Sequence, residues 1–265
     1  MSKCTTTSDR LFHPYGCLFE GLRFSVALIL VAAVLWLSFK TRLTVSPDAA
    51  LKTGEALTEA YRQVLVVAAH PDDVEWYISG TLARLADAGA GIHVVMASYG
   101  EKGPNRTGVS DLPATRREEQ LEAGRRVGYS DIHFLGLPDR EVSEGHALRE
   151  NLEEIWNRLE PDLVLTFDPD TPSLPYLHPD HQGTGGIVQQ VWRNKGKSPP
   201  DLYLWQTRRP DTLVDITAVI DRKVLALSAH ASQGLEGAAG RVRGFNQRAG
   251  NLAGVTYAEG LRRAR

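Results

Sequence analysis

The sequence predicts an α/β fold, namely a Rossmann-like, doubly wound and mostly parallel sheet with helices on both faces, preceded by one N-terminal transmembrane helix. Short apolar runs rich in β-branched residues alternate along the chain with segments of helical pattern, which is typical of parallel sheets covered on both faces. The chain has 265 residues. That length suits one globular domain of roughly 200 residues with additional segments. A separate uncharged apolar run near the N-terminus approaches the length of a membrane span.

The apolar run extends from Phe24 to Phe39 and carries no charged side chain. It is slightly short for a spanning helix, which needs about 20 residues. Including Leu22, and letting the side chains of Arg23 and Lys40 reach the interface, brings it into range. We therefore predict a single-pass anchor at 22–39.

A cleaved signal peptide and a buried helix are the alternatives for this run. The long tail that precedes it carries Asp9 and Glu20, and no clear A-x-A site follows, so an uncleaved anchor is favoured over a secreted product. Basic residues are balanced on the two sides, which leaves the orientation open. The predicted organisation is a tail (1–21), the anchor, a linker or short helix (40–61) and one domain (62–265).

Within that domain, apolar pattern and turn residues predict alternating strands and helices. The predicted strands are Val64–Ala69, Ile92–Ser98, Ile132–Leu135, Leu163–Phe167, Leu202–Gln206 and Leu213–Ile216. The predicted helices are Ile78–Asp87, Ala114–Val127, Leu148–Leu159, Gln182–Trp192, Val219–His230 and a tail from about Ala253. The glycine-rich segment Gly234–Gly244 is expected to be a loop, and Tyr99–Leu112 likewise.

Composition excludes several classes of protein. The formal charge is -2 and no basic run occurs, which gives no support for a nucleic-acid partner. Both cysteines, Cys4 and Cys17, precede the apolar run, so no disulfide can form within the domain, and its compartment is not identified. No G-x-G-x-x-G follows the first strand, which argues against a dinucleotide-binding enzyme.

Two clusters of histidine and carboxylate side chains follow two of the predicted strands. His70-Pro71-Asp72-Asp73-Val74-Glu75 begins where the first strand ends, and His178-Pro179-Asp180-His181 comes after the strand Leu163–Phe167. In open α/β sheets, ligands bind at the carboxyl ends of the strands. The two clusters can therefore converge on one metal ion.

The clusters together offer four carboxylates and three imidazoles, not all of which can bind one ion. A catalytic zinc site takes three protein ligands and keeps an open position for water. With no thiol nearby, the donor set suits zinc and also accepts other divalent ions. A single His-Pro-Asp is common in turns, where Asp caps a helix, but two at strand-to-helix transitions favour the metal site. His13, His93, His133 and His146 have no acidic partner at ligand spacing and are expected in solvent or core positions.

The paired motifs resemble those of the PIG-L/LmbE family of zinc-dependent N-deacetylases. The resemblance covers roughly residues 62 to 265. Further segments similar to that family are Gly80-Thr81-Leu82, Tyr99-Gly100-Glu101-Lys102-Gly103, Arg116–Gly128, Phe134-Leu135-Gly136-Leu137-Pro138-Asp139, Lys223 with His230-Ala231-Ser232-Gln233, and Tyr257-Ala258-Glu259. By this resemblance, His70, Asp73 and His181 would hold the zinc ion.

The resemblance also implies the catalytic roles. Asp72 would be the general base, and His178 would stabilise the oxyanion and protonate the leaving amine while Asp180 holds it charged. We also predict that Arg106 contacts the substrate. Trp76-Tyr77-Ile78 and the proline-rich segment Asp168–Leu177 depart from the common pattern beside the site, which leaves the substrate open.

The resemblance implies a hydrolase that removes an N-acetyl group from a GlcNAc-containing sugar, glycolipid or conjugate. Its partners would be that small-molecule substrate and, through the N-terminal helix, a membrane. Two alternatives remain: a zinc amidase acting on a non-sugar amide, and a metal- or sugar-binding module without turnover. The presence of both Asp72 and His178 argues against the last of these.

Overall fold

The computed structural model describes residues 40–144, 146–173 and 177–265. Residues 41–265 form one compact unit. Within the described ranges no helix is both long and apolar enough to cross a membrane. The anchor predicted at 22–39 lies outside these ranges and stays a prediction.

The sheet in the described ranges has seven strands. They are β1 (Gln63–Ala68), β2 (Gly91–Met96), β3 (Asp131–Phe134), β4 (Leu163–Phe167), β5 (Asp201–Trp205), β6 (Thr212–Asp215) and β7 (Ala258–Arg263). Their spatial order is β3-β2-β1-β4-β5-β7-β6. β1 to β5 are parallel, and β7 runs antiparallel to both β5 and β6. The order 3-2-1-4-5 is the doubly wound arrangement, in which the direction of winding switches between β1 and β4.

Helices cover both faces of this sheet, which confirms the predicted α/β class. They are α1 (Pro47–Ala60), α2 (Asp73–Tyr77), α3 (Ser79–Asp87), α4 (Leu112–Val127), α5 (Ala147–Leu159), α6 (Pro179–Arg193), α7 (Ile220–Leu227) and α8 (Ala239–Gly250). On one face, Leu65 and Val67 of β1 share a core with α5 and α6. On the other face, Val64 and Val66 pack in the larger core that includes α3 and α7.

The segment predicted to be a linker or a short helix forms α1, which packs on β6. Ser46 caps this helix, because its side chain accepts a hydrogen bond from the amide of Ala49. Gly54 permits the close approach, since a Cβ atom there would lie 2.0 Å from the carbonyl oxygen of Leu213. The compact fold therefore begins before β1.

Two predictions about the C-terminal part are wrong. The tail predicted to be helical forms β7, because Arg262 and Glu259 pair with Leu204 of β5 and Val214 of β6 and so fill the position between these strands. Part of the predicted glycine-rich loop belongs to α8, where Val242 and Asn246 are buried. Burial of that face outweighs the helix cost of glycine, which is about 1 kcal/mol per residue.

A buried ion pair holds the first residues after β4. Asp168, the first residue after β4, is fully buried. Its carboxylate accepts hydrogen bonds from Nε of Arg262 at 2.8 Å and from the hydroxyl of Thr171 at 2.7 Å. Burial alone would raise the pKa of Asp168, but these bonds, with that of Arg262 the strongest, lower it from 3.8 to about 2. The charged carboxylate therefore ties β7 to these residues.

Replacing Arg262 by leucine is expected to reduce the free energy of unfolding at neutral pH by about 1.5–3 kcal/mol, because the buried charge of Asp168 loses its main hydrogen-bond partner. The pKa of Asp168 is depressed in the folded state, so its contribution is complete above about pH 4 and disappears as the pH falls to about 2. The difference between the two proteins should shrink over that range, as measured by denaturant unfolding.

The matched control is Arg243→Leu, which removes a surface pair with Asp221 and should cost less than about 1 kcal/mol. An equal loss in both variants, or a difference that is constant with pH, would contradict the assignment.

Candidate metal centre and active site

The two histidine clusters meet because their strands are neighbours. β1 pairs with β4 in parallel register. His70 follows β1, and α6, which begins at Pro179, follows the segment after β4. α6 starts three residues before its predicted start, so His178 caps it and His181 lies in its first turn. The cluster therefore occupies the switch point of the sheet, where ligands bind in doubly wound folds.

Asp73 lies between the imidazoles of His70 and His181. Its Oδ2 is 3.4 Å from Nδ1 of His70, and its Oδ1 is 3.1 Å from Nε2 of His181. All three residues are buried. His181 also stacks on Phe167 with ring centroids 4.1 Å apart, which fixes its orientation. The structure thus brings together the three residues predicted to be metal ligands.

The second ring nitrogen of each histidine contacts an oxygen acceptor. Nε2 of His70 is 3.0 Å from Oδ2 of Asp180 and 3.1 Å from Oδ1 of Asp139. Nδ1 of His181 is 3.2 Å from Oε1 of Gln206. Metal-binding histidines usually hydrogen-bond the other nitrogen to a carboxylate, carbonyl or water, which fixes the tautomer. The remaining nitrogens, Nδ1 of His70 and Nε2 of His181, both face the carboxylate of Asp73, and the chemistry of these three donors suits a divalent ion.

The charges of the cluster also favour a cation. Burial acts to lower the pKa of His70, but hydrogen bonds to Asp139, Asp180 and Asp73 raise it to about 11. Burial acts to raise the pKa of Asp73, but His181 and His70 hold it below its usual value. Carboxylates therefore surround His70 on both nitrogens, and the pocket prefers positive charge.

Two sets of side chains have donor atoms within 4.8 Å of one another here. One is His70, His178 and His181, and the other is His70, Asp139 and Asp180. His178 and His181 are three residues apart on the first turn of α6, and their ring centroids are 4.9 Å apart. His178 is thus close enough to act beside a bound ion.

Asp180 contacts His70 rather than the ring of His178. Its Oδ2 meets His70 and accepts a hydrogen bond from the amide of Arg140 at 2.7 Å. The hydrogen bond between Asp180 and the ring of His178 involves the backbone instead: the amide of Asp180 donates to Nδ1 of His178 at 3.3 Å. Burial, and then the charges of His70 and His181, lower the pKa of His178. The geometry differs from the predicted pair in which Asp180 keeps His178 charged.

Asp72 is held in a left-handed backbone conformation, with φ at 87°. Its amide donates to Oε1 of Gln120 at 3.1 Å, and a guanidinium nitrogen of Arg116 donates to its Oδ2 at 3.2 Å. Arg116 also donates to the carbonyls of Pro71 and Gly100. Burial, opposed by Arg116, raises the pKa of Asp72 to about 6. The structure therefore places a carboxyl group of unusually high proton affinity next to Asp73.

Strained backbone is concentrated around this cluster. Of the four non-glycine residues with positive φ in the described ranges, Asp72, Arg140 and Gln206 all contact it directly or through one hydrogen bond. Such conformations cost about 1–3 kcal/mol each and persist where surrounding contacts enforce them. This concentration points to a functional site.

Two residues considered in the sequence lie apart from the cluster. Glu75 is buried and bonds instead to Gln120, Tyr129 and His230, at 3.1, 2.8 and 3.3 Å. Arg106 is exposed, and its backbone amide donates to the carbonyl of Ser232. No contact of Arg106 with the cluster occurs in the described ranges, and its substrate role stays a prediction.

Sequence reasoning assigned no role to four residues that support the site: Asp139, Gln206, Arg116 and Gln120. Asp139 and Gln206 follow β3 and β5, so the rule that strand ends carry the site would have found them. Arg116 and Gln120 are four residues apart on α4 and share one face, which the helix spacing alone indicates.

The family model described as PIG-L, GlcNAc-PI de-N-acetylase, matches residues 65–192. The 1D-myo-inositol 2-acetamido-2-deoxy-alpha-D-glucopyranoside deacetylase of Saccharomonospora viridis is 32% identical over 229 residues, with 64% of this chain and 84% of that protein covered. The solved N,N'-diacetylchitobiose deacetylase of Pyrococcus horikoshii is similar with a TM-score of 0.72 and 28% identity, over 80% of this chain and 86% of that chain. The solved 4-carboxy-2-hydroxymuconate hydratase of Pseudomonas putida is similar with a TM-score of 0.65 and 28% identity, over 77% of this chain and 96% of that chain.

Proposed function

The chain belongs to the PIG-L family, and on that premise we propose that it is a zinc-dependent hydrolase that removes the N-acetyl group from a GlcNAc-containing sugar, glycolipid or conjugate. The observation that carries the proposal is Asp73 between His70 and His181, each of which presents one nitrogen to it and the other to an oxygen acceptor. Two relatives are named as deacetylases, one of a 1D-myo-inositol 2-acetamido-2-deoxy-alpha-D-glucopyranoside and one of N,N'-diacetylchitobiose.

His70, Asp73 and His181 hold the ion in this proposal. A bound divalent ion supplies Lewis acidity and lowers the pKa of water from about 15.7 to about 7. Asp139, Asp180 and Gln206 orient the two imidazoles. Zinc fits a set of imidazole and carboxylate donors, and other divalent ions share that preference.

Asp72 is the general base. Arg116 occupies its Oδ2, so Oδ1 takes the proton of the attacking water. Burial that raises its pKa to about 6 brings the carboxylate close to the range where a base works best at neutral pH. Water first adds to the acetyl carbon, so that the new C–O bond forms and the acetyl oxygen becomes an oxyanion. The C–N bond then breaks as the carbonyl re-forms and Asp72 gives its proton to the leaving amine, so that acetate and a free amino sugar result.

His178 stabilises the oxyanion. Its Nδ1 accepts a hydrogen bond from the amide of Asp180, so the ring carries its proton on Nε2. That N–H donates to the developing negative charge of the acetyl oxygen. One well-placed donor of this kind is worth about 3–4 kcal/mol in the transition state.

The reaction is tested by supplying the zinc-loaded chain with three kinds of compound and measuring acetate by mass spectrometry. The compounds are GlcNAc linked to inositol, to a second sugar and to a lipid; acetylated amides without sugar; and 4-carboxy-2-hydroxymuconate. Acetate from the GlcNAc compounds is expected. Acetate only from the other amides would indicate an amidase, water addition without acetate would indicate a hydratase, and metal binding without any turnover would indicate a binding module.

Membrane attachment is part of the proposal and rests on the predicted anchor. An anchor at 22–39 would hold the chain at a membrane, and a lipid-linked GlcNAc compound is therefore one of the substrates to be tested.

The full chain is expected in the membrane fraction, released by detergent but not by salt, whereas a chain beginning at Thr41 should be soluble and equally active on a water-soluble GlcNAc compound. The apolar run at 22–39 supplies the membrane affinity. Fractionation with N-terminal sequencing checks both. Uncleaved full chain in the soluble fraction would reject the anchor, and a new N-terminus after residue 39 would establish the signal peptide instead.

A further inference from the structure

A second group of metal-binding side chains lies on one face of the sheet edge formed by β2 and β3. In the parallel register, His93 of β2 is opposite Asp131 of β3, and Val95 is opposite His133. Residues two apart on a strand point to the same face. His93, Asp131 and His133 therefore share one face, on strands other than those that carry the first cluster.

The donor atoms of these three residues lie within 4.8 Å of one another. Nε2 of His133 is 3.3 Å from Oδ2 of Asp131, so the expectation that His133 lacks an acidic partner is wrong. The rings of His93 and His133 are 6.5 Å apart and nearly parallel, at 13°.

One nitrogen of this group, Nδ1 of His93, is buried and makes no hydrogen bond in the described part of the chain. Nε2 of His133 also makes no hydrogen bond there, but the carboxylate of Asp131 lies 3.3 Å from it. Burying a polar atom without a partner costs about 1–3 kcal/mol. Burial and the neighbouring His133 lower the pKa of His93, which favours the neutral form of its ring. Neutral imidazole is the form that binds metals.

We infer that His93, Asp131 and His133 form a second site for a divalent transition-metal ion such as zinc, nickel or copper. Two imidazoles and one carboxylate are ligands for these ions rather than for calcium or magnesium. The side chain of Asp131 is 57% exposed, so water completes the coordination. With ligands from two strands, the ion joins the edge strand β3 to β2 and stabilises the folded state by its binding free energy.

The experiment measures zinc bound by the chain beginning at Thr41 in equilibrium dialysis, together with the midpoint of thermal unfolding. The wild type should bind two ions, the second more weakly, and its unfolding midpoint should rise as the second ion binds. His93→Ala, His133→Ala and Asp131→Asn should each bind one. His146→Ala removes an exposed histidine elsewhere and should still bind two.

Asp131→Asn changes an exposed side chain and should therefore unfold like the wild type in the absence of zinc. If this variant nevertheless loses the second ion, the result supports the site even where a histidine variant fails to fold. His181→Ala should keep the second ion while losing the first, which separates the two proposals. A wild type that binds only one ion, or a second ion that remains in Asp131→Asn and His133→Ala, would overturn the inference.

Discussion

Replacing Asp72 by asparagine is expected to lower the rate of acetate release by about 10²–10⁴-fold while the metal content stays at one ion in the catalytic site, the usual effect of losing a general base. Asparagine keeps the size of the side chain and the hydrogen bond from Arg116, but it cannot accept the proton of water. The hydrogen bond from the backbone amide of residue 72 to Gln120 is unaffected, so the left-handed backbone conformation should persist. Zinc analysis and acetate release on the same sample give both values.

The matched control for this variant is Asp221→Asn, which alters a carboxylate whose side chain is 86% exposed and should leave both values unchanged. His178→Ala should resemble Asp72→Asn, with metal retained and turnover lost, because Nε2 of His178 is assigned to the oxyanion and not to the ion. If Asp72→Asn kept near-normal turnover, the proton transfer would belong to another group.

Replacing His181 by alanine is expected to remove most of the metal from the catalytic site and to abolish activity. A catalytic zinc site normally uses three protein ligands, so His70 and Asp73 alone should bind weakly. His146→Ala is again the control. His181 stacks on Phe167, so circular dichroism must show that the variant is folded. Full metal occupancy in folded His181→Ala would remove His181 from the ligand set.

A milder variant tests the support of the same ligand. Gln206→Leu removes the acceptor at Nδ1 of His181 and should weaken metal binding by about 10–100-fold, the usual effect of losing such a partner. Gln206→Glu retains an oxygen acceptor, and its affinity for the metal should be closer to that of the wild type. Equal affinities in the two variants would mean that Gln206 does not set the tautomer.

The sequence was sufficient to predict that the two histidine clusters meet, because each cluster is local. His70 and Asp73 lie within four residues, as do His178 and His181, and each cluster follows an apolar strand. Bringing the two clusters together requires only that β1 and β4 be neighbours, which the doubly wound arrangement provides. The central strands could also be predicted from the sequence, since continuous apolar runs mark strands that are buried on both faces.

Features that depend on distant pairing were missed. β7 contains Glu259, Arg262 and Arg263, which do not resemble a buried strand, and it forms because β5 and β6 offer hydrogen-bonding edges on both sides. Tertiary context overrides the local preference there. The same holds for Asp180, whose carboxylate meets His70 rather than its sequence neighbour His178 because α6 begins at Pro179 and turns that side chain toward β1.

The assignment of Asp73 to the metal and Asp72 to the proton is tested most directly by measuring zinc content and acetate release in parallel for Asp73→Asn and Asp72→Asn. Asp73 contacts both His70 and His181, whereas Asp72 is bonded to Arg116 and Gln120. We expect Asp73→Asn to lose zinc and to recover part of its activity when zinc is added, and Asp72→Asn to keep zinc and remain inactive. Loss of zinc from Asp72→Asn with full retention in Asp73→Asn would reverse the two roles and contradict the proposed mechanism.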